Sequence, residues 1–151
     1  MRSFLLGAVG GLRSLTPLAV VSAAAARGRL PEDNGAPALL GRRPVAAATM
    51  ALAAAEIAGD KMPSAPDRII LPGLAARVVT GGIAGAALAP KEKRLAAAAL
   101  GAAGAVAAAY LGFALRIRAM RRFGQVPTGL VEDAIALGGA WWLVEGARPA
   151  A

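Results

Sequence analysis

Four carboxylates of this 151-residue chain, Glu56, Asp60, Glu132 and Asp133, stand inside or at the edges of apolar runs, and so do two arginines, Arg13 and Arg77. Such a set can neutralise itself as buried ion pairs, or bind and conduct a small ion or solute. Through the oxygens of Glu56, Asp60 and Asp133 it could also hold magnesium for an enzyme. Arginines beside hydroxyls favour an anion; carboxylates favour a cation or a proton. The chain has no cysteine and no histidine, which removes disulfides, thiolate nucleophiles, zinc sites and histidine acid–base catalysis. No catalytic motif, resident metal or cofactor signature accompanies the charges, so the expectation is a protein that is not an enzyme.

The spacing of these groups is informative. Glu56 and Asp60 are four apart on one helix face; Lys61 follows at once, and the prolines 63 and 66 read as a helix stop and a rigid connector leading to Arg68. Arg13 lies about 15 Å into the first apolar run at 1.5 Å per residue. Pro17, four residues on, lacks the N–H that would bond the Arg13 carbonyl. Arg77 and Thr80 repeat the spacing of Arg13 and Thr16, the trace of a weak two-fold internal repeat in which each helix presents a cation and a hydroxyl together. A charge at the centre of a bilayer costs at least ~2.5 kcal/mol and faces inward to find a partner. The expected polar cluster is therefore Arg13, Thr16, Glu56, Asp60, Lys61, Arg68, Arg77, Thr80, Glu132 and Asp133, with the acids neutralising Arg13 and Arg77. Whether it serves a solute or only fixes helix packing stays open at this level.

The elements that position it follow from composition. The chain is 57% hydrophobic and 17% charged, whereas a soluble domain has about a quarter of its residues charged and needs them to cover its surface. The charges gather between apolar stretches of membrane-helix length. The fold expected is all-α, a single integral-membrane domain over 1–151 with about five transmembrane helices, at roughly 4–26, 44–59, 70–89, 95–115 and 128–146. The run 95–115 carries no charge, against a soluble alanine-rich helix, which would be polar on one face. Arg13 interrupts the first run, so that run is read as a retained span rather than a cleaved leader. Five spans would put the two termini on opposite sides. Seven basic residues then face eight across the membrane, which sets no orientation.

Net charge +8 without aromatic stacking platforms points to anionic lipid headgroups and away from nucleic acid. Arg116, Arg118, Arg121 and Arg122 are expected at such an interface. Gly7 and Gly11, and again Gly81 and Gly85, are small-xxx-small pairs that with Pro17 serve helix packing or assembly into a homo-oligomer. The blocks "GLRSLTP", "AEIAGDKMPSAPDR", "PGLAARVVTGGIAGAAL" and "LVEDAIALGGA" resemble bacterial membrane proteins grouped as domain of unknown function 4126, over roughly residues 5 to 146. The resemblance implies a small multi-pass inner-membrane protein without an assigned activity. Its marked positions would be Arg13, Pro17, Glu56, Asp60, Lys61, Pro63, Arg68, Arg77, Gly81, Gly85, Glu132 and Asp133.

Overall fold

A computed structural model describes residues 1–60 and 70–147. Among these residues there are six α-helices and no strand: α1 (Arg2–Leu12), α2 (Thr16–Ala26), α3 (Arg43–Gly59), α4 (Leu71–Ala87), α5 (Arg94–Phe123) and α6 (Gln125–Glu145). Proline stands in the first turn of α2, α3 and α4, where its missing N–H would be unpaired in any case and its fixed φ suits a helix start. Between α5 and α6 the chain passes through Gly124 at φ +84 and ψ 169, a conformation essentially closed to residues with a Cβ.

The first apolar run, expected as one span over 4–26, is two helices. Arg13 leaves α1 with extended backbone (φ −137, ψ 107), and Pro17 lies in the first turn of a new helix rather than inside a continuing one. The chain also reverses there. A Cβ placed on Gly10 would lie 3.6 Å from the Pro17 ring, Gly41 borders Ala25, and Gly35 packs on the Ala86 and Ala89 carbonyls at the far end of α4. Thus α1 and α2 form a hairpin with its tip at residues 13–15.

Direction alternates throughout. In α4, Gly81 and Gly85 pack on Gly101 and on Ala105 or Ala97 of α5, an antiparallel register, while Gly7 and Gly11 of α1 meet Gly101 and Ala105, a parallel one. On α6, Gly139 borders Val9 and Gly146 borders Arg2. One end of the bundle, here called proximal, therefore gathers Met1, the 27–42 connection, residues 88–93 and Ala147. The other, distal end gathers the α3 terminus, the start of α4 and the α5–α6 turn. The hairpin stops short of it. The proximal connections are tied to each other by Gly35 N–H donating to the Ala89 carbonyl and Lys91 N–H to that of Asp33.

The reversal corrects three expectations. Five alternating spans would start the first and third apolar runs on one side, whereas α1 rises toward the distal end and α4 descends from it. Arg13 and Thr16 do not share a helix as Arg77 and Thr80 do, so the matched spacing is no structural repeat. Both ends of the described chain lie on the same side rather than on opposite sides. Elsewhere the helices α3, α4 and α6 follow the expected bounds, whereas α5 runs on through the arginines to Phe123, 30 residues in all, or about 45 Å.

Large apolar side chains lie on the surface as well as in the core, where Leu6, Val21, Leu30 and Leu143 are buried. Ala84, Ala87, Ala105, Ala136 and Ala140 are buried, while Leu95, Leu111, Leu115, Trp141 and Trp142 are exposed. Small residues inside allow close backbones: a Cβ on Gly7 would overlap the Gly101 carbonyl, and one on Gly85 would come within 2.6 Å of the Ala97 carbonyl. Helices held this way rely on van der Waals contact over short distances. Among the described residues one helical stretch, Lys91–Phe123, is long and apolar enough to cross a membrane, and 22% of its apolar window is buried. A core helix of a soluble protein would be mostly covered. The helices α1, α2 and α4 are shorter apolar helices.

Candidate functional site

The break between α1 and α2 exposes backbone that helices normally satisfy internally. The last carbonyls of α1 and the first N–H groups of α2 have no partners within their own helices. Two charged side chains from other helices take them up. Arg77 of α4 donates from Nε to the Gly11 carbonyl at 3.1 Å, and from Nη1 to the Gly73 carbonyl of its own helix at 2.9 Å. Glu56 of α3 receives the N–H of Ser14 on Oε1 at 2.8 Å, the Ser14 hydroxyl at 2.6 Å and, on Oε2, the N–H of Leu15 at 2.9 Å. A cation thus sits at a helix C-terminus and an anion at a helix N-terminus, each the sign that the peptide dipoles favour.

Arg13 lies between them, 1% exposed. Its Nε donates to Asp133 Oδ1 at 2.6 Å, its Nη1 is 2.8 Å from Asp60 Oδ2, and Nη2 is 3.9 Å from Glu132 Oε2. Arg116 closes the network from α5, with Nη2 2.7 Å from Asp60 Oδ2 and Nη1 2.8 Å from Glu132 Oε2. Two arginines and three carboxylates join the hairpin tip to the end of α3, the distal part of α5 and the second turn of α6. The contacts of 2.6 to 2.8 Å, away from bulk water, are charge-assisted hydrogen bonds, whereas Arg13 Nη2 and Glu132 at 3.9 Å form an ion pair alone. Removing one member strands its partners, and that asymmetry makes a buried network costly to break.

Of the residues singled out in the sequence, Arg13, Asp60, Glu132 and Asp133 meet in this network, and Glu56 and Arg77 flank it on the hairpin ends. Glu56 therefore clamps backbone rather than neutralising Arg13. The Thr80 hydroxyl turns back to the Ala76 carbonyl of its own helix at 2.9 Å. Thr16 is buried and its Oγ1 has no hydrogen-bond partner; Arg13 Nη2 is the other buried side-chain atom in that condition among the described residues. Lys61, Pro63 and Arg68 lie outside the described residues. The magnesium ligands suggested by Glu56, Asp60 and Asp133 do not converge: the first is spent on Ser14 and Leu15, the other two on arginine, and no metal-holding group of three such residues is found in the described chain.

Three participants escaped sequence reasoning. Arg116 was expected at a lipid interface with its three neighbours, yet it is turned inward; only its place one residue past an apolar run separates it from them. Gln125 donates from Nε2 to the Asp60 carbonyl at 3.3 Å, finishing the α3 terminus. Ser14 supplies a hydroxyl and an N–H to Glu56. A signal for it existed, since a serine closely followed by threonine and proline is a helix start.

Nothing among curated proteins and nothing among solved structures matches this chain. A family model does match, over residues 1–146 and hence over the whole network just described, and the chain belongs to the family described as Domain of unknown function (DUF4126).

Proposed function

We propose that this is a small multi-pass membrane protein of structural or accessory role. In this reading α3 to α6 cross the bilayer, the α1–α2 hairpin enters from the proximal face and stops partway, and the ion-pair network latches the hairpin tip to the crossing helices. The exposed apolar surface carries the reading, because leucines and tryptophans facing outward over an interior that holds ion pairs suit hydrocarbon better than water. At 17 residues, α3 and α4 are about 26 Å long, within the range of spanning helices. The hairpin helices, at 11 residues each, are about 16 Å long, and their tip meets the last turn of α3 at Glu56 while α5 runs on beyond it. Non-helical backbone at that depth is tolerated where protein satisfies its polar groups, which is the service that Arg77 and Glu56 perform.

The alternation of helices also supports an orientation. The proximal face carries Arg2, four arginines between 27 and 43, and Lys91, Lys93 and Arg94; the distal face carries Arg118, Arg121 and Arg122 among the described residues. Eight against three among the described residues supports a proximal face in the cytoplasm of a bacterial inner membrane under the positive-inside rule, a margin that Lys61 and Arg68, which join the distal ends of α3 and α4 in sequence, narrow but do not reverse. The distal arginines then meet anionic headgroups of the other leaflet. Reporter fusions at the two ends test this directly: both report cytoplasm, and opposite sides would refute the hairpin.

A second reading has one observation in its favour. The two unpartnered buried atoms, Arg13 Nη2 and Thr16 Oγ1, both lie at the hairpin tip, where a small anion or a polar solute would find two donors. Flux through liposomes holding the purified protein, lost on Thr16→Val with folding intact, supports this reading; absence of flux for chloride, phosphate and protons leaves the latch.

A further inference from the structure

A groove lies between α2, α3 and α6, on the side of the hairpin away from α5, with a cavity volume of ≈ 300 Å³. Its walls are Ala19 and Ala23 of α2, Met50 and Ala54 of α3, and Leu137 and Trp141 of α6. Thr16 lines its distal end, beside the ion-pair network, and Arg27, Arg29 and Glu145 line its proximal end. Between those ends it follows the whole of α2, 11 residues or about 16 Å, the depth of one hydrocarbon leaflet.

The two ends differ in chemistry. The walls are alanine, aliphatic and tryptophan side chains, with the Thr16 hydroxyl at the distal end, and they open to the outside along α3 and α6, where Met50, Ala54, Leu137 and Trp141 are exposed. At the proximal end Arg27 and Arg29 are exposed and form no ion pair among the described residues, whereas Glu145 already has a partner within the chain. An occupant of this groove therefore meets an apolar channel of leaflet depth that ends on two unspent guanidinium groups. Guanidinium binds phosphate through paired N–H donors.

We propose that the groove is a binding site for an anionic phospholipid of the cytoplasmic leaflet, with one acyl chain lying along α2 and the phosphate on Arg27 and Arg29. Two features separate it from ordinary lipid contact. Small side chains on α2 and α3 recess the acyl chain between helices instead of leaving it on a convex surface. The two arginines, one residue apart on either side of Gly28, whose φ of +64 turns the chain there, stand at the height where a headgroup must lie. The site rests on the membrane reading above. That reading has its own test in the reporter fusions, so a failed lipid experiment with correct topology refutes the site alone.

Native mass spectrometry of the full chain in detergent, titrated with phosphatidylglycerol or phosphatidylcholine of equal chain length, decides the matter. One phosphatidylglycerol is expected to bind with preference over phosphatidylcholine of about tenfold or more, given on the order of 1 kcal/mol for each arginine near an anionic headgroup. Arg27→Gln together with Arg29→Gln should bring the two lipids to parity. Ala54→Trp should fill the groove and weaken both, with Ala23→Leu as the milder variant should that one unfold; Leu52→Trp, on the exposed face of α3 outside the groove, should change nothing. Equal binding of the two lipids to the unaltered chain overturns the proposal. So does undiminished phosphatidylglycerol binding by folded groove-filled variants, since the lipid would then sit on surface charge alone.

Discussion

Replacing Arg13 with methionine removes a nearly inaccessible cation and keeps most of the side-chain volume. The loss follows from its contacts. Asp60 retains Arg116 at 2.7 Å, but Asp133 loses the donor at 2.6 Å, and breaking a buried ion pair by removing one partner costs about 3–5 kcal/mol. If that penalty belongs to the broken pair, removing the second partner as well should recover much of it. Arg13→Met alone is therefore expected to lose about 3–5 kcal/mol, Asp133→Leu alone a similar amount, and the double variant at least ~2 kcal/mol less than their sum. Reversible unfolding in mixed micelles, followed by circular dichroism and by the fluorescence of Trp141 and Trp142, measures all four corners of the cycle. Additive losses would refute the network as a unit. A loss below ~1 kcal/mol for Arg13→Met would refute its burial.

The glycine contacts give a paired expectation: Gly101→Ala forces a Cβ onto the Gly81 carbonyl and should cost about 1–3 kcal/mol, whereas Gly138→Ala, with nothing within 4 Å, should be neutral or gain up to ~1 kcal/mol from helix propensity. Equal effects in the same unfolding assay would show that close packing does not set stability here. Glu56→Gln keeps an acceptor for part of the Ser14–Leu15 clamp but removes its charge, and should cost about 1–2 kcal/mol; hydrogen exchange at the Leu15 amide should rise with it, and unchanged protection there would remove Glu56 from its capping role.

The helices were legible because apolar runs and their charged punctuation follow the physics of helix length, and α3, α4 and α6 fall within a few residues of expectation. The hairpin was not legible from hydropathy. Residues 4–26 have the length and greasiness of one span, and only the local chemistry of Arg13, Ser14 and Pro17 betrays a break. Once that break is missed, the N-terminus and Arg2 fall on the wrong face, while the basic residues after α2 keep their sides. The acids were found because carboxylates are scarce in such a chain, and scarcity confines their partners. Arg116 was missed for the opposite reason: within a run of four arginines, composition carries no sign of which one turns inward. Its direction is fixed by Asp60 and Glu132, which come from elsewhere in the chain.

The separation of Arg13 from Asp133, 120 residues, bears on how the protein is made. At synthesis rates of about 5–20 residues per second, Asp133 leaves the ribosome roughly 6 to 24 s after Arg13. During that interval the nascent hairpin carries a cation one of whose counter-charges, Asp133, does not yet exist. In the membrane reading proposed above, a loop that starts and finishes on one side requires no translocated terminus, so it would wait in the headgroup layer and sink once the last helix arrives. Insertion of the N-terminal segment should accordingly be a late event, and truncation ahead of α6 should leave it accessible to water-soluble cysteine reagents at an engineered position near its tip.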